Sequence, residues 1–64
     1  MQCCEFEMVL AYTRMRVSEA GLGRHYHRLA LADLLMDQGV TTIDRLPEVE
    51  GLVRSLEPRF HSAA

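Results

Sequence analysis

This sequence predicts an all-α fold, a single three-helix domain that self-associates as a homodimer. Three observations lead there. A chain of 64 residues holds one core and has no room for a second. Apolar residues recur at helical spacing along three segments. Those segments are closed by Gly21-Leu22-Gly23, Gly39-Val40 and Pro58, the residue types that stop helices. A content of 48% hydrophobic and 25% charged residues, with few Gly and Pro, removes the disordered and fibrous classes.

The first helix is expected over residues 4–20. Phe6, Val9, Leu10 and Val17 fall on one face and Cys4, Met8, Ala11 and Met15 on another, separated by seams of Glu7, Arg14, Ser18 and of Glu5, Arg16, Glu19. A strand over residues 5–13 is the competing reading, because Phe6, Met8, Leu10 and Tyr12 alternate. Val9 and Ala11 spoil its polar side, and no second strand is available to pair with it. Gly21 and Gly23 then suit a helix C-terminus and a tight turn.

The second helix is expected over residues 24–38 and ends at Gly39-Val40, a glycine followed by an apolar residue as in a Schellman cap. At about 100° per residue, Leu22, Tyr26, Leu29 and Met36 lie to one side and Leu31, Leu34 and Leu35 nearly opposite. This helix, like the first, is apolar on two faces.

The third helix is expected over residues 47–57, where Val49, Leu52, Val53 and Leu56 follow i, i+3, i+4, i+7 on a single face. Pro47 suits the first turn, Glu48 and Glu50 favour the positive end of the helix dipole, and Glu50 is spaced to pair with Arg54. Gly51, roughly 1 kcal/mol worse than Ala in a helix interior, implies close backbone packing there. Pro58 cannot continue a helix, so residues 59–64 are expected to form a frayed tail.

Two double-faced helices and one single-faced helix carry more apolar perimeter than three short helices hide from one another. A domain near this size buries only about 60% of the surface its unfolded chain exposes. The sole cysteines, Cys3 and Cys4, are adjacent and staple almost no chain. A second subunit is therefore expected to supply the missing burial, with Leu10, Met15, Leu31 and Leu35 at the dimer interface.

A formal charge of −2 argues against an electrostatic grip on nucleic acid or an anionic membrane. No apolar run is long enough to span a bilayer, and Met1 leads directly into Gln-Cys-Cys-Glu, so a cytoplasmic protein with reduced thiols is expected. The charge is unevenly spread. Residues 14–28 hold Arg14, Arg16, Arg24 and Arg28 against Glu19 alone, whereas residues 33–57 are predominantly acidic. Every cationic residue is Arg and none is Lys, a bias of GC-rich coding that points to a bacterium, its plasmid or its phage.

Residues 31–46, with Gly39 in a turn and Thr42 opening a second segment, resemble the middle of a bacterial helix-turn-helix. Pro47 breaks the would-be recognition helix, however, and Asp44, Glu48 and Glu50 would face phosphate. A small dimeric DNA-binding regulator with a degenerate helix-turn-helix is therefore the alternative reading, and an ordinary hairpin the preferred one. Cys3, Cys4, His25, His27 and His61 lack ligand spacing, so neither a metal nor a cofactor is expected. Asp33 and Asp37 sit at i, i+4 with His25 toward the Asp33 edge. Three short helices offer little cleft in which to converge them, and enzymatic chemistry is not expected.

Arg24-His25-Tyr26-His27-Arg28 crowds cations at a helix N-terminus, where the dipole disfavours them. An acidic surface on a larger protein would supply the missing counter-charge, through bidentate arginine contacts. Alternatively, Glu19, Asp33 or an acid of the third helix neutralises the cluster within the fold. Arg14, Arg16, Arg24, His25, His27 and Arg28 are the candidate partner-binding residues. They point to a small non-enzymatic regulator that blocks or modulates a larger bacterial protein, as adaptors, antitoxins and phage-encoded inhibitors do. Met8 and Met15 form a soft apolar patch suited to the same task.

Overall fold

The structure, a computed structural model, describes residues 3–57, with side chains from Glu5 onward. It is helical throughout: α1 (Cys3–Glu19), α2 (Arg28–Gln38), a 3-10 turn (Ile43–Arg45) and α3 (Pro47–Leu56), with no strand among the described residues. The helical reading of residues 5–13 holds, and the strand alternative does not. α1 is the central element, with α2 packed along it on one side and the 3-10 turn and α3 on another. The expectations for the side chains of Cys3 and Cys4, for His61 and for the tail over residues 59–64 lie outside the described residues.

Two helix ends form as the glycines predict. At the end of α1 the Leu22 N–H donates to the Val17 carbonyl and the Gly21 N–H to that of Ser18, both at 3.0 Å, with Gly21 at φ +82°. At the end of α2 the Val40 N–H donates to Leu35 at 2.8 Å and the Gly39 N–H to Met36 at 3.2 Å, with Gly39 at φ +75°. Both are Schellman motifs, in which the residue after the left-handed glycine folds back onto the last turn. Leu22 and Val40 occupy that position and both are buried, so each cap also closes an edge of the core.

The core joins Val9, Leu10 and Val17 of α1, Leu31 and Leu35 of α2, and Val49, Val53 and Leu56 of α3, together with the two capping residues. Thr13, fully buried among them, donates its hydroxyl to the Val9 carbonyl one turn earlier at 2.8 Å, which satisfies the only polar atom it carries inward. The single apolar face expected of α3 is the face it buries, with Leu52 half-buried at its edge.

Four expectations are corrected. α2 begins at Arg28 rather than residue 24, because Leu22 is committed to the cap of α1 and the His25 N–H donates to the Leu22 carbonyl, turning the chain before the helix starts. Gly51 has nothing within 4 Å of where its Cβ would stand, so no close packing explains it. Glu50 bonds to α1 instead of Arg54. Finally, Leu10, Leu31 and Leu35 are buried within one chain, leaving Met15 as the only one of the four expected interface residues on the surface. Both helices do carry a second apolar face, but the leucine face of α2 turns inward onto α1 and the Leu29–Met36 face turns outward.

Candidate partner-binding surface

Helical spacing determines which side chains α1 and α2 leave outside. With Val9, Leu10, Thr13 and Val17 turned to the core, Met8, Ala11 and Met15 fall on the opposite side of α1 at i, i+3, i+7, and all three are exposed. On α2, Leu29 and Met36 are likewise seven residues apart and point away from Leu31 and Leu35. Met8 is 57% exposed, Met15 49%, Leu29 66% and Met36 55%. An isolated exposed Leu is ordinary, whereas exposed apolar side chains recurring along one side of a helix are the kind of surface that marks an interaction site.

The arginines expected to act together divide into two groups. Arg16 turns toward α3, donating from Nη2 to Glu50 Oε1 at 2.8 Å and from Nη1 to Glu19 Oε1 at 2.6 Å, while the Tyr12 hydroxyl donates to Glu50 Oε2 at 2.8 Å. The Arg16 guanidinium, and after it the Tyr12 hydroxyl, hold the Glu50 carboxyl below the usual carboxylate range. That bonded carboxylate pushes the Tyr12 phenol up. This network clamps α1 to α3, so Arg16 is a structural residue of the fold. Glu19 and Glu50 thus neutralise Arg16, whereas within the Arg24–Arg28 cluster, for which Glu19, Asp33 or an acid of α3 is the expected internal counter-charge, Arg28 pairs with Glu7 instead.

Arg14 and Arg28 lie on the other side of α1. Together with Met15, Ser18, Tyr26 and His27 they line a hollow of about 570 Å³ between the C-terminal half of α1 and the start of α2. Arg28 donates to Glu7 at 2.7 Å across its rim, and both side chains are about half exposed. His27 is the N-cap of α2: its Nδ1 accepts a long bond of 3.4 Å from the Ala30 N–H. That ring nitrogen takes up one of the N–H groups that the first turn of α2 leaves without a helical partner. Arg14 and Arg24 are exposed and form no ion pair with any described residue; His25 is exposed beside Arg24.

A second hollow, about 770 Å³ and more open, runs along the outer side of α2, with Tyr26, Ala30, Leu34 and Met36 for its floor and Asp33 and Asp37 at its edge. Tyr26 borders both hollows. Neither Asp33 nor Asp37 is ion-paired to a described residue, so the two that the sequence set one turn apart make an acidic rim beside an apolar floor. The groove lies outside the site that the sequence predicts, which takes Tyr26 and Met36 as part of an apolar face and sets Asp33 and Asp37 apart from it. Their one-turn spacing along that face was the available signal.

No group of three or more His, Cys, Asp or Glu side chains is placed to hold a metal ion among the described residues. No helix is long and apolar enough to cross a membrane among them either. The helix-turn-helix-like segment is an α2–turn–α3 hairpin whose 3-10 turn runs into Pro47. The exposed side of α3 presents Glu48, which pairs with Arg45 at 2.8 Å, and Glu50 at its edge is bound to α1. Compared with protein-family models, with curated proteins and with solved structures, the chain matches none of them.

Proposed function

We propose that this chain is a small non-enzymatic regulator that forms a homodimer and binds an acidic surface of a larger bacterial protein, blocking or modulating it. The observation that carries this reading is the exposed Met8–Ala11–Met15 stripe with Arg14 beside Met15, Arg14 and the exposed Arg24 being cations without an ion-pair partner among the described residues. Apolar area supplies affinity and is adaptable when it comes from methionine. Arginines at its edge select a carboxylate-bearing partner and speed encounter. Arg28 completes the cationic side of the hollow, with His27 beside it, and is able to exchange Glu7 for a carboxylate of the partner.

The DNA-binding alternative gains no support from the exposed side of α3, where Glu48 would meet phosphate. The test is affinity purification from a GC-rich bacterial lysate with the wild-type chain beside R14E/R24E, both shown to be helical by circular dichroism. The reading expects one stoichiometric protein partner that the double reversal loses. A partner retained equally by both, or a duplex DNA complex at low salt, overturns it.

A further inference from the structure

The two hollows on either side of Tyr26 differ in sign. The one toward α1 carries Arg14 and Arg28 beside Met15, and the one along α2 carries Asp33 and Asp37 beside Leu34 and Met36. Neighbouring patches of opposite charge, each with apolar side chains, are what a two-fold axis makes self-complementary, since rotation about an axis between them brings the cationic patch of one copy onto the acidic patch of the other. The accounting of ion pairs supports this match. Arg16, Arg28 and Arg45 have acidic partners within the chain; Arg14 in the first hollow and Asp33 and Asp37 in the second have none among the described residues, as is also true of Arg24, Arg54, Glu5 and Glu57 elsewhere.

We infer that a second copy of this chain occupies this surface, its Arg14 side seated against Asp33 and Asp37 and the exposed methionines and Leu29 of the two copies buried between them. The inference rests on the self-association part of the reading above and assigns it a surface, replacing the three leucines that the core has taken. Each copy contributes both signs, so the dimer contains the contact twice and closes without leaving a free complementary end. The same surface is the one offered to a larger partner, so the homodimer is the resting form and must dissociate for the larger partner to be bound.

The experiment is a charge exchange read by sedimentation velocity, without any partner present. R14E alone sets carboxylates against Asp33 and Asp37, and D33R/D37R alone sets arginines against Arg14, so each variant is expected to dissociate at least tenfold more readily than wild type. Mixed in equal amounts, the two variants recover both contacts, and a heterodimer of wild-type strength is expected. Its recovery also shows that both variants fold. A wild-type dimer that neither variant weakens, or that mixing does not restore, overturns this surface while leaving self-association standing. A wild-type monomer at several hundred micromolar overturns both.

Discussion

At Glu50, one carboxylate takes hydrogen bonds from Arg16 and Tyr12 and so ties two helices together. Its folded-state pKa lies below the ordinary value of 4.5, so the stabilisation is present above that value and is lost as pH falls through the folded one. Tyr12 is shifted in the other direction. Raised above 10.0, its contribution is complete below that value and is lost as pH rises through the folded pKa. Thermal melts across pH should therefore show acid and alkaline limbs, with Glu50→Gln flattening the first and Tyr12→Phe the second. Both effects are modest, because these side chains are partly exposed and water screens them. An acid limb unchanged in Glu50→Gln would show that the network does not hold α1 to α3.

The leucines of α2 provide the sharper contrast at this scale. Leu31 is fully buried and Leu29 is two-thirds exposed, two positions apart on one helix. Leu31→Ala should cost about 2–5 kcal/mol, enough to unfold most of so small a domain, whereas Leu29→Ala should change the stability of a single chain by no more than about 0.5 kcal/mol. Urea titrations at low micromolar concentration separate the two. Equal losses would mean that α2 is rotated from its assigned face.

Among the elements, the helix ends were the most legible feature of the sequence, because a left-handed glycine followed by an apolar residue is a local signal that needs no tertiary information. Gly39-Val40 carried it and the cap formed. The face of α3 was equally plain, since Val49, Leu52, Val53 and Leu56 leave a single apolar stripe and thus a single way to pack. The start of α2 was not, because Leu22 and Tyr26 fit its 3.6-residue period by coincidence while the Schellman cap of α1 had already claimed Leu22. The choice between two apolar faces was also undetermined. Periodicity shows that Leu31 and Leu35 oppose Leu29 and Met36, but only packing against α1 decides which pair goes in.

Two glycines test the element-scale account in opposite directions. Gly39 sits at φ +75°, where a side chain is strained, so Gly39→Ala should destabilise by about 1–2 kcal/mol. Gly51 lies in the interior of α3 with open space around its Cβ position, so Gly51→Ala should stabilise by about 0.5–1 kcal/mol. Calorimetric melting temperatures measure both, and a Gly51→Ala variant that melts lower would reveal a contact at that position that the packing described above lacks.

At the scale of the whole fold, the organising fact is that α1 is central and α2 and α3 cover only part of it, so among the described residues its methionine side and the outer side of α2 remain exposed. The excess of apolar perimeter was readable from composition and period alone. The residues that form it were not, because three of the four expected at an interface proved to be the core. The candidate site was legible in part. Arg14, Met15, His27 and Arg28 do line one hollow, while Arg16 belongs to the clamp on α3. Separating them required knowing that α2 and α3 lie on different sides of α1. Because self-association and capture of a larger protein use one surface, raising the concentration of the chain should weaken its apparent affinity for that partner.

The central claim is that one copy leaves this surface uncovered and a second copy covers it. Sedimentation velocity of the wild-type chain from 5 µM to 500 µM tests it most directly. A weight-average mass rising from that of one chain to that of two, with no further increase, is the predicted result, and a single-chain mass across the whole range would contradict it.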